Sequence, residues 1–528
     1  MNQTIKKTAL ALAVASILGL TACNDDKQTT VPVSKTTSGV ITGFGSVFIN
    51  GVEYETDDAT FVVDGVEGGE ELLKLGMVVS LDGSDNADGT GTALSIEFDD
   101  DVEGVVISND ITADGIGTLN IMGVTVNVDE DTVFESKDAT IVTLADVVPG
   151  NIIEVSGHSS GDGNVWATRI EVKSAAKEAD KEMEVKGTVS MLDEAAKTFV
   201  IGTMTVDYSS SELEDDFVLA DDLFIEVKSQ DGLDVNGVLV ASKIELEDGG
   251  KKSLDHDDED DEVELEGVIT SLISDTEIEV NGHAVLLSST TKYVHGTATI
   301  AAVGMKIKVK GDVDVNGKLL AEKITFKPSG DLKLAGRISE TDLTLNTVTV
   351  FGVAITLNNA TMVKDDRDDD ALGTDLENIK YNFGVDDLAV DDWIKVKAYT
   401  NNDGGLTATK MERKTEDADK EGKLEGKLVL AAGTSDFYIA GIKLDLSGIA
   451  DITLVDGEKV ELKGTFDNGV FTALEAEIKD EDEYYVGGKD ADDDSSEDGD
   501  DSDDDSDDDD DDSSHDDSED DDDDQQAE

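Results

Sequence analysis

The chain predicts an all-β protein: about six tandem small, five-stranded OB-like antiparallel barrels, followed by a disordered acidic tail. Three observations carry this. Ala followed three residues later by an apolar residue recurs six times, at Ala93-Leu-Ser-Ile96, Ala167-Thr-Arg-Ile170, Ala241-Ser-Lys-Ile244, Ala321-Glu-Lys-Ile324, Ala408-Thr-Lys-Met411 and Ala473-Leu-Glu-Ala476. The alanines stand 74, 74, 80, 87 and 65 residues apart, a spacing that fits a small domain and not a solenoid rung. Turn signals recur between alternating runs, and residues 480–528 hold 30 Asp and Glu against a single Lys489, which leaves nothing to build a core.

Each unit opens on a glycine with an apolar residue two places on, as at Gly39, Gly104, Gly187, Gly267, Gly336 and Gly426, and a first strand starts there. Two apolar runs joined at a glycine follow, as in Phe48-Ile-Asn50-Gly51-Val and Val280-Asn281-Gly282-His. Asn and Gly tolerate the positive φ of a type I′ turn, so strands two and three form a hairpin. A short apolar segment such as Leu72-Leu-Lys-Leu-Gly76 or Ile300-Ala-Ala-Val-Gly304 leaves room for one helical turn at most. The fourth strand alternates strictly, as in Met305-Lys-Ile307-Lys-Val309-Lys310, with one apolar and one charged face. A second Asn-Gly hairpin (Asn236-Gly237, Asn316-Gly317, Asn468-Gly469) leads into the strand with the Ala-x-x-Ile phrase. Five strands in about 70 residues describe a partly closed barrel of the OB type, with a two-sheet sandwich as the alternative. A unit this small buries only about 60% of its unfolded surface, so neighbouring units are expected to dock or lie close together.

The predicted boundaries are a lipoprotein signal peptide with lipobox at 1–23, a tether at 24–37, and repeats at 38–101, 102–174, 183–249, 263–327, 331–413 and 422–479. An acidic linker occupies 250–262, and the tail runs over 480–528. Lys6 and Lys7 precede an apolar stretch from Ala9 to Leu20, and Leu20-Thr21-Ala22-Cys23 makes the lipobox. That stretch is shorter than the roughly 20 apolar residues of a spanning helix. Lipidation is expected at Cys23, the only cysteine, which leaves no thiol for a disulfide.

The segment Gly39-Val-Ile-Thr-Gly43-Phe-Gly45-Ser46-Val-Phe-Ile-Asn50-Gly51-Val-Glu-Tyr54, the Gly76-Met-Val-Val-Ser stretch after it and the Ala-x-x-Ile closers resemble the bacterial family called domain of unknown function 5666. The resemblance covers roughly residues 37 to 480, although the later copies lack Gly-Phe-Gly-Ser. It implies OB-like units in tandem in an envelope lipoprotein. With Asn24 after the cysteine, it also implies the outer membrane of a Gram-negative bacterium, on its periplasmic or surface-exposed face. It implies no activity.

Formal net charge is −82, with only four arginines. Barrels of the OB type that bind single strands use basic grooves and stacking aromatics, so nucleic acid is not an expected partner. Divalent cations, a basic protein or a glycan remain as partners. Clustered carboxylates suit hard cations, which makes low-affinity Ca²⁺ the one candidate cofactor. The candidate ligands are Asp312, Asp314 and Asn316, which match the first half of an EF-hand loop whose twelfth position is Lys323, and the acidic insertion Asp365, Asp366, Asp368, Asp369 and Asp370. A hairpin turn and a solvated loop are the plainer readings of these two segments.

Gly157-His158-Ser159-Ser160-Gly161 fits a nucleophile elbow in letters only, since a strand follows it. The five histidines show no ligand spacing, and no catalytic residue is named. Tyr54, Phe44 and Phe48 are expected to pack the core, with an OB-type groove as the alternative.

The sequence thus predicts a non-enzymatic, lipid-anchored envelope protein. Its repeats act as a scaffold presenting acidic linkers and a polyanionic tail to divalent cations or a basic partner. The alternative is a recognition module whose repeats bind an extracellular glycan or protein, and solvent-facing aromatics would distinguish it.

Overall fold

A computed structural model describes residues 33–479, apart from 113–114, 161–162, 177–180, 215–216, 248–261, 368–382, 402, 417–420 and 450–452. The signal peptide with Cys23, most of the tether and of the acidic linker, Asp368, Asp369, Asp370 and the tail lie outside the described residues.

In repeat 1 the opening strand Val33–Gly43 pairs antiparallel with Val47–Ile49, which turns into Val52–Glu55. That third strand runs parallel to the closing strand Gly91–Phe98. The closing strand pairs antiparallel with Val78–Asp85, which returns to the opening strand. The circuit is closed, so the barrel has no free edge and the sandwich alternative is set aside. The same circuit recurs in the other repeats, repeat 6 included, where Ile442–Asp445 runs parallel to Val470–Ile478; in repeat 3 the opening and closing strands are each interrupted, so its strands divide between two sheets. The opening strand begins five residues inside the predicted tether, because its upstream part is captured by repeat 4.

Two features go beyond the predicted unit. In repeats 1 to 5 a short extra strand (Thr60–Val63, Val133–Ser136, Glu212–Leu213, Lys292–Val294, Met362–Asp366) runs parallel to the closing strand. The apolar segment after it is a three-residue 3₁₀ turn, as at Glu70–Leu72, Leu144–Asp146, Ala298–Ile300 and Val385–Asp387.

The hairpins behave as their residues dictate. Asn50-Gly51, Asn281-Gly282 and Asn468-Gly469 all take positive φ at both positions. Asn236-Gly237 and Asn316-Gly317 place only the glycine there. In those two turns the carboxylate of Asp234 or Asp314 holds the loop, giving a three-residue hairpin that ends on a left-handed glycine.

The Ala-x-x-Ile phrase is a β-bulge. Residues three apart on a regular strand face opposite sides, yet Ala93 and Ile96 are both buried. Gly83 pairs with Ala93 and Asp82 with Ser95, so Leu94 is the extra residue. Thr168, Glu322, Thr409 and Leu474 are extra in the same way. The strand opposite places Gly83, Gly157, Gly311 and Gly464 at this point, and a Cβ on Gly311 would collide with the Leu320 carbonyl oxygen. Repeat 5 accommodates Ala398 there.

The six barrels pack in pairs. Repeats 2 and 3 join their opening strands antiparallel (Val102 opposite Val185) and share one core. Repeats 5 and 6 do the same (Leu334 opposite Leu424). Repeat 1 instead pairs in parallel with repeat 4, Thr36 opposite Val263, and each keeps its own core. Val40, Val133 and Met362 then knit repeats 1, 2 and 5 together. Docking is therefore general, but the partner is not always the next repeat along the chain.

The residue at the tip of the first hairpin accompanies this choice. In repeats 2 and 5 the tip is Met122 or Phe351, both buried, and Phe351 packs against Phe466 and Phe471 of repeat 6. Covering such a side chain is worth about 1.5–3 kcal/mol, which favours a docked neighbour. In repeats 1 and 4 the tip is Asn50 or Asn281, whose amide is spent on the Ser38 or Glu266 carbonyl oxygen of its own opening strand.

Candidate functional site

The charged faces of the alternating strands are not solvated as their pattern suggests. Across the joint of repeats 2 and 3, Glu171, Glu154, Glu103 and Glu184 stand directly opposite one another on four adjacent strands, followed by Lys228. Like charges in register repel. Glu154 and Glu171 are nonetheless buried. Arg169 and Lys137 hold Glu171, Lys173 pairs with Glu154 and lies 3.7 Å from Glu103, and Lys228 lies 3.5 Å from Glu184.

Two more carboxylates join this ladder from repeat 1. The closing strand of repeat 1 ends at Phe98 and the next opens at Val102, so only Asp99-Asp100-Asp101 connects the barrels. With no slack, the link lies in the joint: Asp101 accepts from the Gly157 amide at 2.7 Å, and Asp100 is 2% exposed. Asp64, on the tight turn after Thr60–Val63 and open to solvent, accepts from the Asp100 amide at 3.3 Å.

Single carboxylate oxygens of Asp64, Asp100 and Glu184 lie within 4.8 Å of one another, as do those of Asp100, Glu103 and Glu154. Asp100 is common to both triads. Its Oδ1 is sealed from solvent and has no hydrogen-bond partner.

Electrostatics agree with that crowding. Desolvation, then Glu184, pushes the Asp100 carboxyl well above the usual range. Desolvation, Glu154 and Glu184 push Glu103 up to about 7 against the pull of Lys173, and similar causes raise Asp64 to about 6. Lys186 reaches the joint but gives its ammonium to the Asp100 carbonyl oxygen, at 3.0 Å, and to Glu226.

The ligands expected from sequence lie elsewhere. Asp314 accepts from the Asn316 and Lys318 amides at 2.8 and 3.0 Å, and from the Asn316 side chain. Asp312 sits on the strand Lys306–Val313, opposite Leu320. Asp365 is fully buried between two guanidiniums: Arg367 donates to both its oxygens at 2.9 and 2.8 Å, and Arg413 donates to Oδ2 at 2.5 Å. Asp366 pairs with Lys414 and Lys364. His158 lies on the strand Ile152–Ser159 with no strand-to-helix turn, contacts Asn281 of repeat 4 at 3.2 Å, and is lowered by burial to about 4.

Among the described residues no Phe, Tyr or Trp is exposed; of the three rings expected in the core, Tyr54 and Phe44 lie there and Phe48 is half-buried. Sequence reasoning passed over Asp64, Asp100, Glu103, Glu154 and Glu184. The available signal was the three-residue, all-aspartate link, too short to be a solvated linker.

A cleft of about 470 Å³ lies along repeats 5 and 6, lined by lysines and glutamates that include Lys333, Lys397, Lys410, Glu412 and Glu425. Three of its lysines are occupied from repeat 2. Lys397 reaches Asp131 at 2.8 Å, Lys333 pairs with Glu130, and Lys410 donates to the Glu130 carbonyl oxygen at 3.1 Å.

A family model described as Domain of unknown function (DUF5666) matches residues 37–97, 103–171, 186–245, 266–325 and 335–412. The sixth barrel follows these five with the same strand circuit. No curated protein matches the chain. One similar solved structure is Drosophila Unr CSD456, at 12% identity, covering 44% of this chain and 97% of that one, with a TM-score of 0.10 that carries no argument about fold or function.

Proposed function

The chain belongs to the family of Domain of unknown function (DUF5666), and from that premise we propose that it is a non-enzymatic, lipid-anchored scaffold of the cell envelope, held in the outer membrane through Cys23. Its docked barrels present an acidic surface and a polyanionic tail that bind divalent cations weakly or engage a basic partner.

The observation that carries this reading is that no described Phe, Tyr or Trp is exposed, although several, among them Trp166, Tyr293 and Tyr438, are half-buried. Barrels of this type that recognise single strands offer stacking rings to solvent, and a net charge of −82 opposes anionic partners. The barrels instead spend their apolar and charged faces on one another, as scaffold modules do. The tail adds carboxylates that take hard cations without a preformed cage.

The test is a calorimetric Ca²⁺ titration at near-physiological salt, comparing residues 24–528 with the same chain ending at Lys479. Many weak sites that disappear with the tail support the reading. Identical titrations would sink its cation part and leave a glycan or protein ligand of the barrels as the object of search. The anchor has its own check: Cys23→Ala is expected to move the protein from the membrane fraction to the soluble one.

A further inference from the structure

We propose that the joint between repeats 1, 2 and 3 is a Ca²⁺ site centred on Asp100, with Asp64 and Glu184 on one side and Glu103 and Glu154 on the other. This site is independent of the tail and stands or falls separately from the weak binding proposed above.

The argument starts from the buried oxygen. Asp100 is 2% exposed and its Oδ1 meets no donor. Leaving a carboxylate oxygen sealed and unmet costs more than an ordinary lost hydrogen bond, so such an atom calls for an ion or a proton. The surroundings choose between them. Four further carboxylates offer an oxygen within 4.8 Å in the two triads that share Asp100. Opposed ligands around Ca²⁺, each at roughly 2.3–2.6 Å, stand about that far apart. One proton relieves one pair of carboxylates, whereas a divalent cation at Asp100 relieves a whole triad.

The nearby ammonium groups do not fill the role. Lys173 is taken by Glu154 and Glu103, Lys186 by the Asp100 carbonyl oxygen and Glu226, and Lys228 is divided among Glu184, Glu226 and Glu245. The ligands come from three repeats: Asp64 from the first, Asp100 from the link, Glu103 and Glu154 from the second and Glu184 from the third. A cation there would staple the three barrels. Ca²⁺ suits an irregular, all-carboxylate set better than Mg²⁺, which demands octahedral geometry and gives up its water reluctantly.

The experiment is calorimetric titration of Ca²⁺ into the whole chain, tail included, at pH 7 and near-physiological salt. Expected is a saturable component of about one Ca²⁺ per chain above the weak background. Asp100→Asn and Glu184→Gln should each weaken that component at least tenfold, leaving the weak background intact. Both variants remove repulsion, so thermal melts without Ca²⁺ should show them folded and no less stable than the parent.

A saturable component that survives both substitutions, or a parent chain with only the weak background, overturns the site. A saturable component without the weak background upholds it and overturns the tail reading alone.

Discussion

The joint of repeats 5 and 6 repeats the backbone of the joint of repeats 2 and 3 almost strand for strand, yet the two carry opposite charge solutions. Reading across the strands, one ladder is Glu171, Glu154, Glu103, Glu184 and Lys228, and the other is Lys410, Lys397, Lys333, Glu425 and Glu461. The lysine half of the second is met by Asp129-Glu130-Asp131 of repeat 2, and Lys306 of repeat 4 joins them at 2.7 Å from Asp129. Although desolvation opposes it, Lys306 and Lys397 hold the Asp131 carboxyl well below its usual range. The glutamates of the first ladder keep the cations of their own repeats, Arg169, Lys137, Lys173 and Lys228, but what repeat 1 delivers to them is Asp64 and Asp100, more of the same sign. The same register can thus hold a self-neutralised contact or concentrate charge that needs an outside ion. The barrel does not decide which, and the side chains delivered from other docked repeats do.

The comparison breaks most readily where compensation is deepest. Asp365, on the extra strand of repeat 5, is fully buried between Arg367 and Arg413, whose bonds to it keep its carboxyl low despite desolvation. Asp365→Ala leaves two guanidiniums facing each other, and removing one partner of a buried pair costs about 3–5 kcal/mol. Urea unfolding should show that loss with the Ca²⁺ isotherm of the remaining folded protein unchanged. Because the folded pKa of Asp365 lies below its unfolded value, its contribution is complete above about pH 4 and fades as pH falls through the folded value. An Asp365→Ala variant as stable as the parent would mean that compensation is not what secures this half of the molecule.

Much of the fold was legible in the chain because it is local. Alternation gave the strands, Asn-Gly gave the first hairpins, and the spacing of Ala93, Ala167 and Ala241 gave the repeat. What escaped was non-local. The three-residue step from Ala93 to Ile96 was visible, but that it is a bulge opposite Gly83 depends on strand pairing. The register that lines up Glu154, Glu103 and Glu184 joins residues 51 and 81 apart in sequence, and the capture of Thr36 and Thr37 by repeat 4 joins residues more than 200 apart. Acidic runs drew attention by their length, as at Asp365-Asp366, whereas the short Asp99-Asp100-Asp101 matters because it has no room to leave the joint. An aspartate named as a ligand became the hub of an arginine pair because Arg413 lies one strand over, a neighbour that spacing does not reveal.

The pH profile sharpens the comparison with the next largest effect. Glu103 moves from an ordinary carboxyl up to about 7, so between about pH 4.5 and 7 the folded state holds a proton that the unfolded state has released. Stability then falls as pH rises through that window, by about 3 kcal/mol for this group alone. Glu154 on one side, Glu184 on the other, Asp64 and Asp100 above and Lys173 beside it are the charges that set this slope. Without Ca²⁺ the parent is expected to lose stability from pH 5 to 7.5 more steeply than Glu103→Gln. Saturating Ca²⁺ should flatten the parent, since the cation takes the place of the protons. Parallel profiles for the two proteins would remove Glu103 from the account.

The smallest effect is a difference of sign. Asp100→Asn removes a carboxylate from a place where carboxylates repel, and Asp131→Asn removes one from a place where lysines want it. Without Ca²⁺ at pH 7, the first should raise the unfolding free energy and the second should lower it. The Asp131 side chain keeps 39% of its exposure, so water screens its pairs with Lys306 and Lys397, and the loss is held to about 1 kcal/mol. Added salt should shrink the Asp131 change toward zero and leave the change at the sealed Asp100 largely intact. Two substitutions of the same chemistry, in two acidic tripeptides about 30 residues apart, then report opposite signs. If both destabilise, Asp100 is held by a donor after all and the joint needs no cation. If both stabilise, the lysines of repeats 4 and 5 do not bear on Asp131, and the packing of those repeats against repeat 2 rests on contacts such as Val133 with Met362 and His158 with Asn281.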